Sequence, residues 1–254
     1  NAILALCSLL QIGLRSFPEL RVAAINGGDA DNVIPSTAGA ELWVPSGAID
    51  AIEGFFKEML PVCSPDLHPR FGQPTLTFAR SDFAPAAGPI CAAQWLQIMT
   101  ALRQIANGVQ SWSEITPGLV ETSTNLGVIR TDENQLQIVS FARSSDAAAL
   151  SRLTARICQQ LSGHDAQVVL DEASPAWEAD LDNPLGRAAQ YAFMSVHGQA
   201  PRVVGIHAGL ECSLLHAHRP ELPMISIGPD ILAAHSTNEA LDLTTLPAFY
   251  RILK

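Results

Sequence analysis

Between Leu119 and Phe141 the sequence reads as two strands, Leu119–Ile129 and Gln135–Phe141, separated only by Arg130-Thr-Asp-Glu-Asn134. A connection this short joins antiparallel neighbours, because a parallel return needs a crossover of about a dozen residues or more. The chain therefore carries an antiparallel sheet, and the segments around the pair have to pack on it.

Those segments have recognisable periods. Residues 1–13 read as a largely buried helix stopped near Gly13, followed by a strand over Leu20–Ile25, a turn at Asn26-Gly27-Gly28 and a strand over Ala40–Val44. Ser46 is placed to cap a helix whose apolar positions Ile49, Ile52, Phe56 and Met59 share one face, with Pro61 and Pro65 ending it. Residues 61–87 are Pro-rich with one short strand candidate, Thr75–Ala79, and a longer helix is expected over 88–106, closed by Asn107-Gly108. After the strand pair, Ser144, Ser145 or Asp146 caps a helix carrying Leu150, Leu153, Ile157 and Leu161, Gly163 follows it, and Gln167–Leu170 reads as a short strand.

The pattern then changes. Residues 171–183, DEASPAWEADLDN, are acidic and turn-rich and mark the expected domain boundary. Beyond it Asn183 caps, Pro184 takes the first helical position and Gly198 closes a helix with an apolar stripe from Leu185 to Val196. Strands over Val203–Ile206 and Met224–Ile227 flank a short helical stretch, and a last helix covers about 246–253. The expected fold class is thus an α+β domain with an antiparallel sheet and flanking helices over 1–172, followed by a partial α/β segment over 173–254.

Bulk composition narrows the function. The 254 residues are 48% hydrophobic, enough for a core, and the formal charge is −10 with Lys only at 57 and 254. Nucleic acid is not an expected partner, since phosphate binding needs clustered positive charge. Ala2–Leu14 is apolar but shorter than the roughly 20 residues a bilayer span needs, and it has no basic leader. Five cysteines with no C-x-x-C pair suit free thiols in a reducing compartment. The expectation is a soluble cytoplasmic protein that meets no membrane. The chain opens in helical pattern without Met, and sequence upstream of Asn1 is expected to have been cut away.

Several side chains are candidates for chemistry. His216-Ala-His218 has H-x-H spacing, which points both rings one way only in a strand, and this stretch reads as a helix end or loop, so a surface pair is the better account. His235 follows a strand and a Gly-Pro turn, where sites of α/β layers gather, and is a candidate ligand. Ile206-His-Ala-Gly-Leu-Glu-Cys212 offers a Cys212 nucleophile with His207 or His235 as base, or simply a small core cysteine. Arg143 either caps its strand edge or holds a substrate carboxylate through two prongs. Asn32, after a glycine-rich turn, is on spacing alone a turn asparagine.

Taken together, Leu119-Val-Glu-Thr-Ser-Thr-Asn-Leu-Gly-Val-Ile129, Ile206-His-Ala-Gly-Leu-Glu-Cys212 and Met224-Ile-Ser-Ile-Gly-Pro229 with His235-Ser236 resemble one family. Asn107-Gly-Val109, Phe141-Ala-Arg-Ser-Ser145, Asn26-Gly-Gly28 and Asn32-Val-Ile-Pro35 fit the same pattern in the same order. The family is the aminoacyl-histidine dipeptidases (peptidase D, bacterial relatives of carnosinase), two-zinc metallopeptidases with a catalytic domain interrupted by a lid. The resemblance covers essentially the whole chain. It implies that 1–172 is the lid and 173–254 the C-terminal part of the catalytic domain. It also implies a dipeptide substrate, X-His among others, and a homodimer through the lid.

Carried over by motif, His235 resembles the terminal zinc ligand and Arg143 the arginine that binds the substrate's C-terminal carboxylate. Asn32 resembles the lid asparagine that helps hold substrate and tetrahedral intermediate, and Gly209 the glycine whose backbone lines the pocket. Glu211 takes no more than a supporting role. Ser213, where the family usually has glycine, and Ala233-Ala234, where a Pro is common, depart from the pattern and imply a slightly altered pocket or zinc loop. The family's H-x-D, Glu-Glu and G-G-H-S-G motifs do not occur here. Zinc, two ions in a complete enzyme, is therefore not expected to be fully bound by this chain, which is expected to be inactive alone. The rival readings are a non-catalytic dimerisation or interaction module derived from such a lid, and a cysteine hydrolase using Cys212.

Overall fold

The structure is a computed structural model describing residues 1–63, 74–80, 91–114, 118–132, 135–162, 164, 166–171, 182–204, 211–234 and 238–254. These form two compact units. The first comprises Asn1–Gln110, Ser123–Ala142 and Arg152–Val169, and the second Ser111–Thr122, Arg143–Ser151 and Leu170–Lys254.

The first unit is built around α1, Ala2–Ser16. Asn1 caps it, its side-chain oxygen accepting from the backbone N–H of Ile3 (3.1 Å) and Leu4 (3.3 Å). Ile3, Cys7, Leu9, Leu10 and Leu14 are buried along one broad face, as a helix packed on a core requires. It packs on α2 (Ile49–Cys63), on α3 (Ala92–Gln104) and on the strands β1 (Arg21–Gly27) and β2 (Ala38–Trp43). α2 follows a 3₁₀ turn at Ser46–Ala48 and turns Ile52 and Phe56 inward, while α3 contributes Trp95, Met99 and Leu102 at helical spacing. A polar bridge crosses between helices: Gln11 Nε2 donates to Thr100 Oγ1 at 3.0 Å, and Arg103 donates to Gln11 Oε1 at 2.6 Å.

Two punctuating residues behave differently from the sequence expectation. Gly13 does not end α1. A Cβ there would stand 2.6 Å from the Phe56 ring, so this glycine serves the close approach of α2. Pro61 lies inside α2, which runs on to Cys63.

β1 and β2 pair antiparallel, with a register shift between Val22 and Ala24. The sheet order is β2-β1-β4-β3, with β4 spanning Val120–Asp132 and β3 Gly108–Trp112, and β5, Gln135–Ser144, also pairing with β4. The hairpin read from the sequence is therefore present, and β3 is added to it. Contact between β1 and β4 is brief, Gly27 opposite Ile129, and the Thr131 hydroxyl extends it by accepting from Ile25 N–H (2.8 Å) and donating to Ile25 C=O (2.9 Å). The helix α4, Ala147–Leu161, follows Asp146, whose carboxylate accepts from Ala148 N–H at 2.8 Å. Its Gln160 donates to Gln104 C=O at 2.6 Å.

In the second unit α5, Pro184–His197, has the ends its sequence announced. Asn183 accepts from Gly186 N–H at 2.8 Å, and Gly198 closes it at φ 70°. It packs on α7, Leu246–Ile252. α6 covers Glu211–His218, and β6 (Ile231–Leu232) pairs antiparallel with β7 (Ala240–Leu241). Among the described residues the expected strands Thr75–Ala79, Gln167–Leu170 and Met224–Ile227 join no ladder, and Val203–Ile206 lies partly outside the described residues. From Leu170 onward Met224 is the buried hydrophobic among the described residues, whereas Leu185, Val203, Leu214, Ile227, Leu243 and Tyr250 are exposed. No helix among the described residues is long and apolar enough to cross a membrane.

Candidate functional site

The glycine turn after β1 sets up the loop that carries Asn32. Gly28 has φ 73°, and a Cβ on it would fall 1.9 Å from the Gly127 carbonyl oxygen, so both conformation and space demand glycine. Arg130 fixes the turn from the sheet side, donating to the Gly27 carbonyl at 2.7 Å and to the Gly28 carbonyl. Its contact with Asp29 is long, 3.9 Å, and Asp29 is solvated, so that pair adds little. With Asn26, Thr37, Ala38 and Gly39 these residues line an open cleft of about 290 Å³.

The loop closes where Gly28 N–H donates to Thr37 C=O (3.3 Å) and Ala2 N–H to Pro35 C=O (2.9 Å). Asn32 sits exposed on it. Beneath the loop lies Asn125 of β4, the asparagine of the VETSTN stretch. Its amide nitrogen donates to the carbonyls of Asp31 at 2.9 Å and Val33 at 2.8 Å, one on each side of Asn32. Its oxygen faces the Asn1 amide at 3.4 Å, and that amide also donates to Leu126 C=O at 2.8 Å. Two residues along, Gly127 leaves no room for a side chain: a Cβ would stand 2.5 Å from Asp31 O and 2.6 Å from Asp31 Cα. Asn107 accepts from Leu126 N–H at 2.8 Å and steadies the same stretch of β4. The sequence contained the signal, in the form of the VETSTN motif, but not the geometry that gives Asn125 its partners.

Arg143 belongs to the second unit and is half-buried near the end of β5, with its Nε shielded from solvent. In that unit Thr122 and Ser144 join hydroxyls at 2.8 Å, and Ser145 N–H donates to Glu121 C=O at 3.2 Å, which ties the end of β5 to β4. Gly209 and His235 lie outside the described residues, as does His207. Cys212 is half-buried in the first turn of α6, 3.9 Å from the Ile225 carbonyl, and Glu211 beside it is exposed. His216 and His218 occupy the last turn of α6, where H-x-H spacing turns the two rings apart and cations suit the helix end.

Among the described residues no three His, Cys, Asp or Glu side chains converge to hold a metal ion. A zinc centre needs three or four such groups.

Comparisons with known proteins agree with the sequence motifs. No family model matches the chain. It is similar to the cytosol non-specific dipeptidase of Escherichia coli (strain K12), with 26% identity over 235 residues, covering 92% of this chain and 48% of the relative. It is also similar to the crystal structure of aminoacylhistidine dipeptidase from Vibrio alginolyticus, with TM-score 0.76 and 27% identity, covering 100% of this chain and 51% of that one. The chain thus spans about half the length of the relatives it matches, and its resemblance to peptidase D-like dipeptidases rests on sequence and on fold.

Proposed function

We propose that the chain is part of a dipeptidase that hydrolyses X-His and other dipeptides. Residues 1–172 serve as its lid, with dimer contacts made there, and residues 173–254 as the C-terminal part of its catalytic domain. The observation that carries the reading is the likeness of the whole chain to about half of a dipeptidase. Arg143 holds the substrate's C-terminal carboxylate, for which a planar guanidinium offers two parallel charge-assisted bonds. Its shielded Nε supports that role, since such bonds strengthen away from water. Asn32, exposed on a braced loop, donates to the substrate and to the oxyanion that forms as the peptide bond is attacked. The backbone at Gly209 lines the pocket, and His235 is the zinc ligand of this chain. A zinc ion held there in the complete enzyme would supply Lewis-acid charge. The remaining ligands and the general base come from outside these residues, so the 254-residue chain alone is inactive.

The test is a dipeptidase assay of the purified 254-residue chain beside the complete gene product, both with added zinc and an X-His substrate. Turnover by the complete product alone is expected. Zinc-dependent turnover by the 254-residue chain would overturn the division of labour, and a complete product that hydrolyses no dipeptide would overturn the assignment.

A further inference from the structure

The geometry points to Asn125 as the positioning residue for Asn32. The inference rests on the substrate role proposed for Asn32.

A loop residue contributes to catalysis only if its side chain is already in place when the transition state forms, because ordering it then would cost the energy it is meant to supply. The loop from Asp29 to Ser36 has no strand or helix of its own. Its conformation at Asn32 is set by the two carbonyls that flank it, and both point at one amide group: Asn125 Nδ2 lies 2.9 Å from Asp31 O and 2.8 Å from Val33 O. A primary amide has two N–H donors, so one side chain satisfies both carbonyls at once. The span between those carbonyls then matches the fork of a single NH₂.

A second, independent contact fixes the height of the loop. Gly127 presents bare backbone to Asp31, and Gly28 presents bare backbone to Gly127. The loop therefore lies directly on β4 at Asp31, where backbone meets backbone at Gly127. Asn125 is itself aimed, through Leu126, by Asn107 and Asn1. β4 is paired on more than one edge, which makes it a firm base for a loop that must not drift.

Asn125→Asp is the sharpest perturbation. It keeps size and shape but replaces the donor pair with a carboxylate facing two carbonyl oxygens. In the complete gene product, Asn32→Ala is expected to lower kcat/KM on a dipeptide by about a hundredfold, the worth of one oxyanion donor, and Asn125→Asp by about as much, the cost of about 1 Å of misplacement. The double variant should be no slower than Asn32→Ala alone, because misplacing a side chain that is already absent costs nothing. Losses that multiply, or an unimpaired Asn125→Asp beside an impaired Asn32→Ala, would overturn the positioning role while leaving that of Asn32. An unimpaired Asn32→Ala would overturn both.

A readout independent of activity comes from hydrogen exchange in the 254-residue chain. Asn125→Asp should speed exchange of the Val33 and Gly28 amides about thirtyfold, as loss of two bonds worth about 1 kcal/mol apiece predicts, while the amides of α1 and α3 hold their rates. Unchanged exchange at Val33 and Gly28 would refute the geometry on which the inference stands.

Discussion

Replacing Trp95 with Phe tests whether the core of the first unit is organised as described. Trp95 is fully buried, and its indole N–H donates to the Val22 carbonyl at 2.7 Å. Val22 adjoins the register shift of β1, where the ladder to β2 is irregular, and the indole supplies its carbonyl with a side-chain donor. Phenylalanine removes that donor, and a buried acceptor deprived of its bond costs about 1–3 kcal/mol. It is also smaller by about 40 Å³, which at about 24 cal/mol per Å³ of unfilled space adds about 1 kcal/mol. The total, about 2–4 kcal/mol, is a large share of the 5–15 kcal/mol typical of a folded domain. Trp112→Phe is the control: Trp112 is 57% exposed, and its replacement should stay within about 0.5 kcal/mol of the parent. Urea unfolding followed by far-ultraviolet circular dichroism reads both variants without relying on tryptophan emission. A Trp95→Phe chain within about 0.5 kcal/mol of the parent, or no worse than Trp112→Phe, would refute the role given to this bond.

Burial also pushes the Cys7 thiol up, from an ordinary 9.0 to about 12, despite the favourable charge of Arg103. The folded state then holds the neutral thiol while the unfolded chain ionises, so the stabilising contribution is complete below about pH 9 and is lost as pH rises from there toward 12. The parent chain should lose up to about 1.4 kcal/mol more per pH unit in that window than Cys7→Ala, measured as urea midpoints against pH, and parallel profiles would refute it. In the complete gene product, Arg143→Ala should raise KM for a dipeptide about ten- to a hundredfold, the worth of a bond to a charged group, and an unchanged KM would remove Arg143 from the substrate site.

Among the described elements, those with local causes were legible in the sequence. The α5 helix needs only Asn183, Pro184 and Gly198 to define its ends, and all three act within one turn of where they sit. The β4–β5 hairpin follows from the length of its connection. The motifs around Asn125 and Arg143 carried the resemblance to the dipeptidases, and the structural likeness agrees with them. Gly13 and Pro61 read locally as helix stops, but local propensity is a weak prior against a helix whose neighbours hold it. Gly13 is small for the sake of Phe56, which is 43 residues away in the chain.

Tertiary structure alone decided the rest, because strands and sites are relations between distant segments. Thr75–Ala79 and Met224–Ile227 have the composition of strands, but a ladder exists only where a partner lies alongside. β3 went unrecognised for the converse reason, as its Gly-Val-Gln-Ser-Trp run is given strand form by its pairing. The sequence by itself determined where the backbone turns, caps and alternates, since those choices are made over a few residues. It could name Asn125 as part of a motif, but that its amide spans the carbonyls on either side of Asn32, more than 90 positions away, follows only from the fold.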